Sequence, residues 1–259
     1  MKNKKEIDNN HPIIFTVDVE GDWAGTETRA VREVLPRLLE FLDRYSAKAT
    51  FFVVGNLAPK IRYIIHPKGP HEVGSHGLTH AILTKLSLKE VYHEVNESKH
   101  ILETEGYQVA GFRAPFFKSP PELPQLLAEA GYIYDASCGS VLPTFKIEKK
   151  DSTLWNTNPI IYKIKISKLS DGLTPFSLTY LRLYHPLGIK LISPRSQVFF
   201  CHLHEMLNGG GGFSKLPFML RKIHARNSGL KAWHILEKLM KMPSYCFITC
   251  KEYLNTIHY

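Results

Sequence analysis

The run ATFFVVG (49–55) is apolar at four successive positions, Phe51 to Val54, with Thr50 its one polar residue and no apolar–polar alternation along it. A strand of this kind must be covered on both faces, which is the situation of a strand in a parallel sheet flanked by helices. The neighbouring segments agree. PIIFTVDVE (12–20) is strand-like, and ETRAVREVLPRLLEFLDRYS (27–46) places Val31, Val34, Leu35, Leu38, Leu39 and Leu42 at helical spacing, with Pro36 marking a kink or a late start. The alternation continues. HEVGSH (71–76) reads as a strand, and SLKEVYHEVNESKHILETE (87–105) as a helix opened by a Ser87/Glu90 capping box. AGFRAP (110–115) is a strand end, PELPQLLAEAG (121–131) a helix and YIYDAS (132–137) a strand; QVFFCHLHE (197–205) and SYCFITC (244–250) supply late strands around a helix near 228–241. Strand–helix alternation predicts an α/β fold with a parallel sheet, open or closed into a barrel. One domain is expected over 11–259, after a polar tail at 1–10.

Composition removes several classes. Hydrophobic and charged residues, at 44% and 22%, are those of an ordinary globular protein. The most apolar stretch, 172–192, is interrupted by Pro175, Arg182, Pro186 and Lys190, which argues against a membrane span. Lysines near the N-terminus are followed by no apolar core or small-residue cleavage site, so a cytoplasmic location is expected. Four cysteines give no disulfide framework; Cys246 and Cys250, in one strand-like segment, would stand roughly 13 Å apart. NGGGGFSK (208–215) lacks the Lys-Ser/Thr ending of a phosphate loop and reads as a plain loop. Residues 160–241 hold thirteen Lys and Arg against three acids, a surplus of ten in a chain whose total is +9. Such a region is either a solvated basic face or one drawn to phosphate or an anionic membrane.

Ligands of α/β folds gather at the carboxyl ends of the strands. The polar residues there are Asp18 and Glu20, His76 and His80, Arg113, Asp135, and His202 and His204. Asp18 and Glu20 share one strand face, where two carboxylates repel unless a cation or proton lies between them. His76 and His80 would share a face if a helical turn began at Ser75. Singly, each has an ordinary structural explanation. Together, a carboxylate, two histidines and an open position make a catalytic zinc-type site. The remaining carboxylate, arginine and histidine supply a base, its orienter and an acid.

In this order, TVDVE, SHGLTH, FRAPFF, YDAS and FFCHLHE resemble the five motifs of NodB-type polysaccharide deacetylases, carbohydrate esterase family 4. The resemblance runs from about His11 to Ile257 and implies a distorted (β/α) barrel of fewer than eight strands with a divalent metal, usually zinc. It implies Asp18 as catalytic base, His76 and His80 as metal ligands, and Arg113 as holder of the base. Phe116 would offer its backbone N–H to the oxyanion, and His202 would be the acid. The family's first motif has adjacent aspartates, whereas this chain has D-x-E; Glu20 becomes the third ligand, with Asp22 in reserve. His204 is the alternative to His202, and Asp135 is expected in the pocket or supporting His202. The implied reaction removes an acetyl or formyl group from an amino sugar. The basic region favours a phospholipid-linked substrate with peripheral membrane contact, and no nucleic-acid partner is expected. FTVDVE and HEVGSH are similar to family deformylases acting on undecaprenyl-phosphate-linked aminosugars. A hydrolase of non-sugar amides, or a barrel that binds glycan or membrane without catalysis, are the competing readings.

Overall fold

The computed structural model describes residues 11–22, 28–139, 154–195, 197–208 and 218–257. Its strands are β1 (His11–Val19), β2 (Thr50–Val53), β3 (Glu72–Ser75), β4 (Gly111–Phe112), β5 (Tyr134–Cys138), β6 (Leu154–Trp155), β7 (Ile161–Lys165), β8 (Val198–His202) and β9 (Tyr245–Ile248). The helices are α1 (Arg29–Glu33), α2 (Leu35–Arg44), α3 (Ala58–Ile61), α4 (Leu88–Thr104), α5 (Leu123–Glu129), α6 (Leu178–Leu183), α7 (Phe218–Ala225), α8 (Leu230–Met240) and α9 (Cys250–Thr256). The expected tail at 1–10 and residues 209–215 of the glycine run lie outside the described residues.

Seven strands run parallel in the order β7-β5-β4-β3-β2-β1-β8, with β6 antiparallel on the outer edge of β7. Just past β7, the Ser167 N–H donates to the Val198 carbonyl of β8 at 3.2 Å. The two ends of the sheet therefore meet through this contact instead of a full ladder, which makes a distorted barrel of fewer than eight staves. β1 is its central stave. It pairs β2 along one edge; on the other, β9 takes His11–Ile14 and β8 takes Ile14–Asp18.

Alternation along β1 divides the molecule. Ile13, Phe15, Val17 and Val19 pack outward under the helices, whereas Ile14 joins Phe52, Tyr134, Ala136 and Phe200 in the interior cluster. The unbroken apolar run of β2 follows from this, since Phe51 and Val53 serve the outer layer and Phe52 the inner one. Thr16, Asp18 and Glu20 continue the inward parity of Ile14 toward the carboxyl rim. The helix expected over 27–46 is two helices: Val34 separates α1 from α2, and Pro36 sits in the first turn of α2, where its missing N–H costs nothing. Ser87 and Glu90 form the expected capping box of α4. Cys250 is not in a strand with Cys246 but opens α9, and all four cysteines are free. No helix among the described residues is long and apolar enough to cross a membrane.

The interior narrows at β4. A Cβ added to Gly111 would stand 1.9 Å from Cζ of Tyr134. That ring cannot swing aside freely, because its hydroxyl donates to the buried Glu72 carboxylate at 2.9 Å, which also accepts from Thr50 Oγ1 and Lys251 N–H. Gly111→Ala should therefore overpack the barrel by about 1–3 kcal/mol or more. A thermal melt should show the midpoint falling by several degrees, at ~2–4 °C per kcal/mol for a chain of this size. An unchanged midpoint would mean that the Tyr134 ring is not fixed where it is seen.

Candidate active site

At the carboxyl end of β1, Asp18 stands in register with His202 of the neighbouring β8. Register alone brings them together: His202 Nε2 lies 3.8 Å from Asp18 Oδ2. From across the barrel, just past β4, Arg113 donates through Nη1 to Asp18 Oδ1 at 2.6 Å, through Nη2 to Thr16 Oγ1 at 3.0 Å and through Nε to the Ala136 carbonyl at 3.3 Å. The guanidinium is fully buried, with its Cζ 4.1 Å from the centre of the Phe52 ring. A buried cation so placed is tolerable because each of its nitrogens has an acceptor and an aromatic face lies beneath it.

Glu20, two residues on, points to the same side. Its Oε2 lies 2.6 Å from His80 Nε2 and 3.7 Å from His76 Nε2. One ligand atom from each of the three falls within 4.8 Å of the others. Burial raises the Glu20 pKa, but the hydrogen bonds to His76 and His80 and the nearby His202 charge outweigh it and hold the group well below the ordinary value. The His76 ring has a settled orientation. Nδ1 lies 2.8 Å from the Arg113 carbonyl, which can only accept, so Nδ1 carries a proton and Nε2 is the nitrogen turned toward Glu20. A compact set of one carboxylate and two imidazoles, one of them oriented through its second nitrogen, fits a divalent cation of the zinc type.

The SHGLTH segment does not reach this geometry by a helical turn, as its spacing allowed. Gly77 has φ +75° and His80 φ +68°, so the chain bends back after β3. Glu94 of α4 braces the bend, accepting from the N–H groups of Leu78 (2.7 Å) and Thr79 (3.0 Å) and from the Thr79 hydroxyl (2.5 Å). Phe116 and Phe117 are also left-handed, at φ 57° and 56°, and the Phe116 ring lies 4.9 Å from His80. Backbone in this region is costly for side chains of this size and recurs at functional sites.

Asp22, the reserve ligand, is committed elsewhere. Its two oxygens accept the N–H groups of Arg29 and Ala30 at 2.8 and 2.9 Å, closing the first turn of α1. Asp135 requires a second correction. It neither lines the cavity nor supports His202, but accepts from Ser137 N–H at 2.8 Å and the Trp155 indole at 3.1 Å, tying β6 to β5.

The support for His202 is Glu205, which the sequence reading passed over. Glu205 is buried and accepts from Arg182 Nε (3.0 Å), Thr179 Oγ1 (3.1 Å) and His202 N–H (3.1 Å), with His202 Nδ1 at 3.3 Å. An acid three residues after a histidine, H-x-x-E, was the local sign; a lone arginine in the apolar run SLTYLRLY was the distant one. Burial pulls the His202 pKa down, but the Glu205 hydrogen bond and the charges of Glu20 and Asp18 outweigh it, raising the group to about 9. His204 goes the other way: burial and the neighbouring His202 charge push it to about 3, so at neutral pH it has no proton to spare as an acid. Of the two histidines, His202 fits a proton donor.

Asp18, Glu20, His76, His80, Phe116, His202 and His204 all line one cavity of about 120 Å³. Arg113 stands behind Asp18, and Asp135 lies apart.

Residues 7–134 match the family model for polysaccharide deacetylase. Over 125 residues the chain is 33% identical to peptidoglycan-N-acetylmuramic acid deacetylase PdaC of Bacillus subtilis, an alignment covering 46% of this chain and 24% of that one. It is 27% identical over 154 residues to a peptidoglycan-N-acetylglucosamine deacetylase of Bacillus cereus, covering 58% and 60% respectively. The aligned region thus spans less than two thirds of either relative. Among solved structures, a putative polysaccharide deacetylase from Mycobacterium smegmatis superposes with a TM-score of 0.59 at 18% identity, covering 96% of this chain and 91% of the other. A carbohydrate esterase family 4 pseudoenzyme from Bacillus anthracis superposes with a TM-score of 0.56 at 16% identity, covering 94% and 65%. At these identities the superpositions speak for the fold.

The ligand set makes a direct prediction. His76→Ala, His80→Ala and Glu20→Gln should each lose most of the bound divalent metal measured by elemental analysis after dialysis. Asp22→Asn should retain it, and should instead lower the melting temperature through the weakened α1 terminus, by about 0.5–2 kcal/mol. Metal lost on Asp22→Asn but kept on Glu20→Gln would reverse the assignment.

Proposed function

Because residues 7–134 match the polysaccharide deacetylase family model and the chain is similar to peptidoglycan deacetylases, we propose that it is a metal-dependent hydrolase that removes an N-acyl group, acetyl or formyl, from an amino sugar. The observation that carries this reading is the convergence, in one cavity, of the Glu20–His76–His80 cluster with Asp18 and His202. Each of the latter two has a charged partner of its own. A barrel that only bound glycan would have no use for that second pair, and the relatives named above argue for a sugar over a non-sugar amide.

Glu20, His76 and His80 would hold the cation, most simply zinc, which when bound polarises the acyl carbonyl and acidifies the attacking water. Asp18, oriented by Arg113, takes the proton from that water as it attacks the acyl carbon. The Phe116 N–H faces the oxygen on which negative charge develops. His202 donates its Nε2 proton to the departing nitrogen, which would otherwise leave as an unstable amide anion. Glu205, anchored by Arg182, keeps His202 protonated and its ring aimed at the cavity. These roles are assigned by position and charge.

A phospholipid-linked amino sugar is the finer version of the reading. The surplus of ten positive charges over 160–241 supports it, together with exposed Leu187, Phe218 and Leu230, at 58%, 57% and 66%, beside Arg221, Lys222 and Lys231. This arrangement suits peripheral contact with an anionic membrane, at ~1 kcal/mol per basic residue near the surface.

Asp18→Asn and His202→Ala should retain metal and fold while lowering kcat on N-acetyl or N-formyl amino sugars, each by about 10²–10⁴-fold. Metal content and circular dichroism alongside the assay would separate chemistry from folding, and wild-type turnover in either variant would remove that residue from the mechanism. His202 must carry its proton to act, so activity should persist through neutral pH and fall as pH rises through its pKa. A bound cation offsets the Glu20 share of the elevation, which places that alkaline limb below about 9 and leaves Glu205 as its main support. Glu205→Gln should then move the limb to lower pH by a unit or more; an unmoved limb would mean that Glu205 does not control this proton. In sedimentation with vesicles, the protein should bind anionic but not neutral lipid, less tightly as salt rises and the screening length shortens to ~8 Å. The triple variant Arg221→Ser, Lys222→Ser, Arg226→Ser should bind less. Equal, negligible binding to both lipids would leave the basic region as an ordinary solvated face.

A further inference from the structure

Ser177 precedes α6 as its N-cap, the position where a serine hydroxyl ordinarily accepts a helix N–H. Here it does not. The residue is fully buried, its hydroxyl makes no cap hydrogen bond, and Oγ has no hydrogen-bond partner among the described residues. Leaving a buried hydroxyl unpaired is unfavourable, so the group either serves a ligand or takes a trapped water. Its location bears on which. Ser177 bridges Phe200 on β8, two residues before His202, and it lines the same cavity as Asp18, Glu20 and His202. Phe200 packs on His202 and Phe117, with ring centres at 5.7 and 5.2 Å. The nearby Thr179 hydroxyl is already donated to Glu205. Ser177 is thus an uncommitted polar group in a largely aromatic part of the wall.

Size limits what can reach it. A cavity of about 120 Å³ is smaller than the ~150 Å³ apolar cavity that holds one benzene ring. That admits the acyl end of an amide and leaves the sugar ring outside. Resting on the deacylase reading above, we propose that Ser177 is a specificity-determining residue whose hydroxyl hydrogen-bonds a polar tip on the acyl group. The substrate class this favours is N-(2-hydroxyacyl) amino sugars, of which the N-glycolyl group is the smallest, over N-acetyl or N-formyl ones. A pocket that offers a hydrogen bond discriminates against the analogue lacking the partner group, because its own polar atom is then left unpaired.

The test reads binding, not turnover. Zinc-loaded wild type and Ser177→Ala are titrated calorimetrically with acetohydroxamic and glycolohydroxamic acid, which chelate a cation through the same hydroxamate group and differ only in a hydroxyl on the carbon next to the carbonyl. Wild type should bind the glycolyl compound about five- to tenfold more tightly, the scale of one net hydrogen bond. Ser177→Ala should bring the two affinities together with acetohydroxamate binding unchanged, which also shows that the variant is folded, and Ser177→Thr should keep part of the preference. An equal ratio in wild type and Ser177→Ala, the outcome for a hydroxyl satisfied by a trapped water, overturns the proposal and leaves the deacylase reading standing. If neither compound binds the zinc-loaded protein better than the metal-free protein, the metal-site reading fails and this proposal falls with it.

Discussion

The buried ion pair between Asp18 and Arg113 ties the barrel together at the level where its chemistry lies. It joins β1 to the end of β4 across the interior and draws in Thr16 and the Ala136 carbonyl of β5. Two charges removed from water are stable only while both remain and their other hydrogen bonds are met; loss of one partner typically costs ~3–5 kcal/mol. The pair therefore constrains the positions of three staves at once. It also occupies one oxygen of Asp18 and leaves the other facing His202. The Arg113 carbonyl, on the same residue, orients His76. One residue thus positions both Asp18 and the Glu20–His76–His80 cluster, and a displaced β4 would disturb both.

The rim is organised as two carboxylate–histidine units with opposite electrostatic tasks. Glu20 lies against His76 and His80, where a carboxylate oxygen and two ring nitrogens gathered at one point suit a cation. Glu205 lies behind His202, where its charge, held by Arg182, keeps a proton on the ring. His204 separates the two units, its Nδ1 3.8 Å from Glu20 and its ring stacked on His202. Kept neutral by burial and by the His202 charge, it fills the gap between them without adding a positive charge to either. Two histidines two residues apart are thus pushed in opposite directions, His202 toward holding its proton and His204 toward losing it.

Several features were legible because they are local. The continuous apolar run of β2, the capping box of α4 and the break at Pro36 depend on residues a few positions apart. The gathering of Asp18, Glu20, His76, His80, Arg113 and His202 was legible for another reason: each sits at or a few residues past the end of a strand, and strand ends of a parallel barrel share a rim. What escaped was partner choice among groups of the same type. Asp22 and Asp135 carry the same carboxyl group as Glu20 and Glu205, but one caps a helix and the other holds an indole. Neither engagement has a distinct local pattern, and the Asp135 partner Trp155 is twenty positions away in the chain.

The amino-acid sequence by itself determined the alternation of strand and helix, the inward parity of Asp18 and Glu20, and a motif order specific enough to identify the family. These depend on chain periodicity and on side-chain chemistry, both present before folding. Tertiary structure decided which carboxylate meets which histidine, that His202 is held protonated while His204 is not, and that the Ser177 hydroxyl beside Phe200 has no partner among the described residues. Burial and charge separation over a few ångströms set proton affinities and hydrogen-bond satisfaction, and those distances exist only once β1, β4 and β8 have been brought into register.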